Sequence, residues 1–188
     1  MRSGKNVLSV LSGCKVSPTD FAASIAAPAP AASKLTGTHT GKLAISAIRA
    51  LAGESDIVRV SDEDLGYLFP GIDQLEAEKK LLNICKGSLI VTRGAEGSTW
   101  YNKGRKTFRV DAPCFKAGEV VDTIGCGDTF DGAVMAWLER NGFVGNIAGL
   151  ERDDVSRILD YASKAAGLNC LFEGCNPPSR VGNADDME

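Results

Sequence analysis

The sequence has little histidine, few aromatics and no charge excess, and each shortage excludes something. His39 is the only histidine, so a histidine-rich metal centre is excluded and a Ser-His-Asp triad would have only His39 to draw on. Basic and acidic residues nearly balance, 21 Lys+Arg against 24 Asp+Glu for a formal net charge of -3, so nothing in the bulk electrostatics attracts nucleic acid or an anionic membrane. No window approaches the ~20 apolar residues of a membrane span. The cysteines, Cys14, Cys85, Cys114, Cys126, Cys170 and Cys175, include no C-x-x-C pair. They read as small buried hydrophobes in a reducing compartment, not as a zinc site or a redox dithiol. Near the start, Arg2 and Lys5 precede an apolar run over residues 7–11 and then Ser12-Gly13-Cys14. That run is shorter than the ~7 to 15 residues of an export signal, so a cytoplasmic chain is expected.

What remains is ordinary globular composition: 188 residues, 44% hydrophobic, 24% charged and 6% aromatic, enough for one well-buried core. Glycine is plentiful at 21 residues, and glycine serves sharp turns and close approach of backbone to ligand. Residues 1–41 are expected to form a separate, poorly ordered segment, since residues 17–40 are mostly Ala, Pro, Ser and Thr around Ala27-Pro28-Ala29-Pro30. Over residues 42–188 short apolar runs alternate with helical spacing, which predicts an α/β fold with a mostly parallel sheet flanked by helices. Helices are predicted over residues 42–51 and 75–85, strands over 57–61 and 88–92, and a hairpin around Asn102-Lys103-Gly104. Phe130, Ala133, Val134, Trp137 and Leu138 recur with helical period, placing a helix just after Asp128 that stops near Asn141-Gly142. A last helix is expected from about Asp154 on Val155, Ile158, Leu159 and Ala162.

The most informative stretch is Asp122-Thr123-Ile124-Gly125-Cys126-Gly127-Asp128-Thr129-Phe130. A glycine-rich helix start exposes backbone N–H groups and the positive end of the helix dipole, which makes an anion cradle. An acid there repels phosphate, so its presence is informative. A carboxylate beside such a cradle can take a proton from a hydroxyl while the cradle neutralises the group being transferred. Phosphoryl transfer to an alcohol is the chemistry this suggests.

Two better-known glycine motifs fail by spacing. Gly37-Thr38-His39-Thr40-Gly41-Lys42 has one residue too few between its glycines for a nucleotide-hydrolase phosphate loop, and Leu43 stands where Ser or Thr would hold magnesium. Gly125-x-Gly127 has Phe130 where a dinucleotide fingerprint needs its third glycine.

The residues from Asp122 to Phe130 resemble the C-terminal signature of the ribokinase-like (PfkB) carbohydrate kinases, whose usual form is D-T-x-G-A-G-D. Thr92-Arg93-Gly94-Ala95-Glu96-Gly97 is similar to that family's T-x-G-x-x-G nucleotide loop, and Arg59-Val60-Ser61-Asp62-Glu63-Asp64 to its K-x-N-x-x-E segment. Residues 167–178 resemble the end of a fructokinase-type member. The resemblance covers roughly residues 48–180 and implies an ATP-dependent kinase of fructose or a related sugar or sugar acid.

By that resemblance Asp128 is the general base, and the backbone of Gly125, Cys126 and Gly127 forms the anion hole for the γ-phosphate. Thr92, Gly94 and Gly97 are implied to line the nucleotide, with Ser61 near its phosphates and Ser163 near the adenosine. Asp64, with Asp62 and Glu63 as rivals, is implied to face the water shell of Mg²⁺. Asp122 and the Ile124 carbonyl match positions that hold a monovalent cation such as K⁺ in many members. The bland alternatives are a helix-capping role for Asp128 and a capped helix start at residues 61–64.

Departures from the pattern are Cys126 for alanine, Ser61 and Asp64 for Asn and Glu, and the lack of any counterpart in residues 1–40 to the family's sugar-binding N-terminal half. The chain is therefore expected to be the nucleotide half of a longer enzyme, with a truncated inactive remnant that at most binds nucleotide as the alternative. An exposed sheet edge would then favour a homo-oligomer or poor solubility.

Overall fold

The computed structural model describes residues 7–9, 39–116 and 118–179. Most of the segment expected to be poorly ordered lies outside them. Val7–Ser9 forms strand β1, so part of the apolar run weighed as an export signal is a sheet strand paired in parallel with the next strand. The other elements follow in order: α1 (His39–Ala52), β2 (Ile57–Ser61), α2 (Asp62–Leu68), α3 (Gln74–Ile84), β3 (Ser88–Thr92), β4 (Ser98–Lys103), β5 (Thr107–Ala112), α4 (Cys126–Arg140) and α5 (Arg152–Asn169).

The five strands form one sheet in the order β1-β2-β3-β4-β5. β1, β2 and β3 run parallel, in a register that sets Ile57 opposite Ser88 and Ser61 opposite Thr92. Only residues 93–97 separate β3 from β4 and only residues 104–106 separate β4 from β5. Such connections are too short for a parallel crossover, so these pairs run antiparallel. The expected α/β architecture is present, with a sheet that is parallel in its first part and antiparallel in its second. β3 is buried from Ser88 to Val91 and β2 at Ile57, Val58 and Val60, and residues of both faces are thus covered, as in the inner strands of a parallel sheet.

By its internal contacts the chain divides into two compact units, Met1–Arg93 with Thr99–Arg109, and Gly94–Ser98 with Val110–Glu188. In the first, Val58, Val60, Leu89 and Val91 of the sheet pack with Leu65, Leu68, Ala77 and Leu81 of α2 and α3 in one buried cluster. Arg49 of α1 donates to the Leu68 carbonyl and lies 4.5 Å over the Phe69 ring, tying α1 to the end of α2. Glu78, 4% exposed, is held by the Arg93 guanidinium at 2.7 Å and the Tyr101 hydroxyl at 2.8 Å. Lys103 donates to the carbonyls of Leu82 and Cys85, satisfying the last turn of α3.

In the second unit α4 packs along α5. The buried face of α4 is Phe130, Ala133, Val134 and Leu138, and that of α5 is Val155, Ile158, Leu159, Ala162 and Ala165. Each stripe follows the helical period, so each helix buries one face.

Candidate active site

Helix α4 begins at Cys126, not after Asp128, so the whole Cys126-Gly127-Asp128 segment is its first turn. Its N-cap is Gly125, in the left-handed region at φ 76°, where a side chain would be strained. Space excludes a side chain too: a Cβ here would lie 2.4 Å from the Cys175 sulfur and 2.8 Å from its Cβ. The Gly125 carbonyl accepts the Thr129 N–H at 2.8 Å, closing the first helical bond.

The first N–H groups of a helix have no partner within it. Here the Cys126 N–H donates to the Thr123 carbonyl at 3.2 Å. Among the described residues nothing accepts from the N–H groups of Gly125, Gly127 and Asp128. The free donors thus include the glycines expected for the anion hole, while the Cys126 N–H is engaged and Asp128 replaces it. No side chain caps the helix. Asp128 sits exposed in the first turn with its carboxylate unengaged, so the capping alternative does not describe it. The Thr129 hydroxyl is buried without a hydrogen-bond partner among the described residues.

The approach to this turn is fixed by two side chains. Asp122 accepts the Ile124 N–H at 3.0 Å on Oδ1 and the Gly174 N–H at 2.8 Å on Oδ2. The N–H groups of Gly174 and Ile124 hold its carboxyl below the ordinary carboxylate range. Asn169, the last residue of α5 and fully buried, was not anticipated from the sequence. Its Nδ2 donates to the Ile124 carbonyl at 2.9 Å and to the Cys126 sulfur at 3.3 Å, and its Oδ1 accepts the Asn176 N–H at 2.8 Å. Burial, followed by the hydrogen bond to Cys126, pushes the neighbouring Cys170 thiol up.

The oxygens matched to a monovalent cation, those of Asp122 and the Ile124 carbonyl, therefore all face N–H donors. Each of these oxygens already carries a donor, which presents partial positive charge beside any cation there.

The remaining expected residues fall into local groups. In the first unit Ser61 and Thr92 are register partners at the ends of β2 and β3. Ser61 caps α2 by accepting the Asp64 N–H at 3.1 Å, while Asp64 Oδ2 accepts the Ser61 N–H at 2.9 Å. The capped helix start is thus present, and it leaves the other oxygen of Asp64 unengaged. Thr92 accepts from the Arg59 guanidinium at 2.8 Å and donates to the Val60 carbonyl at 3.4 Å. In the second unit Gly94 opens a turn over Gly94–Glu96. A Cβ on Gly97 would lie 2.1 Å from the Ala112 carbonyl oxygen. The Ser163 hydroxyl accepts the Phe115 N–H at 2.7 Å and donates to the Pro113 carbonyl at 3.4 Å, so it fixes residues 113–115. Among the described residues no cluster of three His, Cys, Asp or Glu could hold a metal. No helix among them is long and apolar enough to cross a membrane.

Comparison with known proteins decides the family, because the pfkB family of carbohydrate kinases matches residues 5–181. The chain belongs to the pfkB carbohydrate kinase family. That match begins well before residue 48, where the recognisable motifs start. A fructokinase of Rhizobium leguminosarum bv. trifolii is 39% identical over 94 residues, which are 50% of this chain and 28% of that protein. Fructokinase from Vibrio cholerae O395, solved as a double mutant with fructose, ADP and potassium, superposes with a TM-score of 0.59 at 19% identity, covering 71% of this chain and 40% of that one. Aminoimidazole riboside kinase from Salmonella enterica, solved with aminoimidazole riboside and an ATP analogue, gives a TM-score of 0.57 at 18% identity, covering 73% of this chain and 43% of that one. The chain thus spans less than half the length of these relatives, and the structural likeness is one of fold.

Proposed function

We propose that this chain carries the phosphate-transfer portion of an ATP-dependent sugar kinase whose acceptor is a hydroxyl of fructose or a related sugar. What carries the reading is one observation: three free N–H groups and an unengaged carboxylate share the N-cap and first turn of α4. The N–H groups of Gly125, Gly127 and Asp128 receive the γ-phosphate, and the dipole of the 15-residue helix adds to them. The Asp128 carboxylate takes the proton of the attacking sugar hydroxyl. Asp122 and Asn169 hold the turn in position beforehand, so little reorganisation is left for the transfer itself. Thr92, Gly94 and Gly97 serve the nucleotide, and Asp64, one of whose oxygens is unengaged, would hold the water shell of Mg²⁺. When bound, Mg²⁺ and ATP supply charge neutralisation and the phosphoryl group. Support for the sugar comes from the fructokinase relatives.

The test is ADP release from Mg²⁺-ATP across a panel of sugars, native chain against Asp128→Ala. Sugar-dependent release that falls about 10²- to 10⁴-fold in the variant is expected for loss of a general base. Equal rates would refute the role of Asp128. Folded protein that binds ADP but shows no sugar-dependent release would instead identify a nucleotide-binding remnant.

A further inference from the structure

Asn169 is a fully buried carboxamide whose two N–H groups and oxygen are all engaged. Its two N–H groups go to the Ile124 carbonyl and the Cys126 sulfur, and its oxygen takes the Asn176 N–H. The first two partners flank Gly125, the N-cap of α4, so the side chain grips the start of that helix from both sides. The third lies in the segment whose Cys175 packs against Gly125. Asp122 repeats the link by accepting from Ile124 and Gly174, and the Cys170 carbonyl accepts the Val121 N–H at 2.8 Å. The segments 121–126 and 169–176 are therefore joined by neutral donors and one carboxylate.

A monovalent cation at such a junction would act by drawing oxygens from both segments around itself. Here N–H groups already engage those oxygens, and a buried carboxamide whose donors are both paired is costly to displace. Building on the reading of residues 125–128 as a phosphate cradle, we propose that the Asn169 carboxamide stands in for a monovalent cation, so that this chain orders its cradle without potassium. Asn169 is in these terms a positioning residue: it acts on phosphate only through Ile124, Gly125 and Cys126.

The test reads the fold and needs no turnover. Thermal unfolding of the full chain is followed in potassium chloride and in tetramethylammonium chloride of equal ionic strength, the second cation being too large to enter. Equal Tm values are expected for the native chain. A ligand that binds only the native state raises Tm, so a potassium-specific rise of several degrees would overturn the proposal. Asn169→Asp keeps the shape but exchanges donors for oxygens, and its Tm is expected several degrees higher in potassium than in tetramethylammonium. Equal values in both salts for that variant would also overturn the proposal. Should the aspartate variant fail to fold, Asn169→Ser, which opens room and keeps one oxygen, reads the same difference with the same two outcomes. A chain that binds no ADP would sink the kinase reading and leave these Tm comparisons standing on their own.

Discussion

Replacing Gly125 by alanine tests whether the cradle is built as described, and the structure sets the size of the effect. The residue sits at φ 76°, a left-handed conformation that costs an L side chain about 1 to 2 kcal/mol. The new methyl would lie 2.4 Å from the Cys175 sulfur, 2.8 Å from its Cβ and 3.2 Å from its Cα. Turning the sulfur aside relieves only the first contact, so backbone near Cys175 must move, and overpacking of this kind costs about 1 to 3 kcal/mol. Together the two give a loss of about 2 to 5 kcal/mol. The assay is urea unfolding of the native chain, Gly125→Ala, Cys175→Gly and the double variant. Deleting the Cys175 side chain removes the collision but not the backbone strain. The cycle is therefore expected to return a coupling of about 1 to 3 kcal/mol, with about 1 to 2 kcal/mol left in the double variant. A Gly125→Ala protein within about 0.5 kcal/mol of native, the range of a harmless surface change, would refute the reasoning. So would a cycle with no coupling.

Other perturbations read other parts of the molecule. Glu78→Ala leaves the Arg93 guanidinium without its partner at a site where the Glu78 side chain is 5% exposed. Breaking a buried pair from one side costs about 3 to 5 kcal/mol, and a loss below about 1 kcal/mol in urea unfolding, the value of a surface pair, would contradict the pairing. Acid should act through Asp122, whose carboxyl lies below its ordinary value of 3.8 because Gly174 and Ile124 donate to it. The unfolded chain then binds the proton more readily, so this contribution is whole above the unfolded pKa and is lost as pH falls through the lower folded one. Asp122→Asn should remove that part of the acid dependence of stability, and an unchanged profile would rule the assignment out.

The elements differ in how far the sequence revealed them, and the reasons are physical. β2 and β3 lie where expected, residue for residue, because strands with both faces covered are written as short, mainly apolar runs between turn residues. α4 starts earlier than its apolar period indicates, since its first turn is Cys126-Gly127-Asp128 and only Phe130 begins the stripe. Helix α2, seven residues long, carries too few turns for a period to show. The core of the proposed anion cradle was legible from its glycines and its acid. Which N–H groups are free was not, because that depends on the Thr123 carbonyl turning back onto Cys126. Asn169 escaped notice because one of its partners lies 45 residues away along the chain. One signal did exist: Val155, Ile158, Leu159, Ala162, Ala165 and Asn169 form a single buried stripe on α5. A polar side chain on such a stripe must find partners in the core.

That stripe also changes the meaning of Cys126. On the family pattern it is a replacement for alanine that leaves backbone chemistry untouched. In the folded chain, however, the Cys126 N–H is occupied and its sulfur accepts from Asn169 at 3.3 Å. An alanine there would leave one N–H of a fully buried carboxamide without an acceptor, at a cost of about 1 to 3 kcal/mol. Cysteine supplies an acceptor in that position while adding no charge beside the cradle. The cysteine in the cradle and the asparagine at the end of α5 therefore belong to one arrangement. The asparagine fixes the Ile124 carbonyl on one side of Gly125, and the cysteine gives its second N–H a partner on the other.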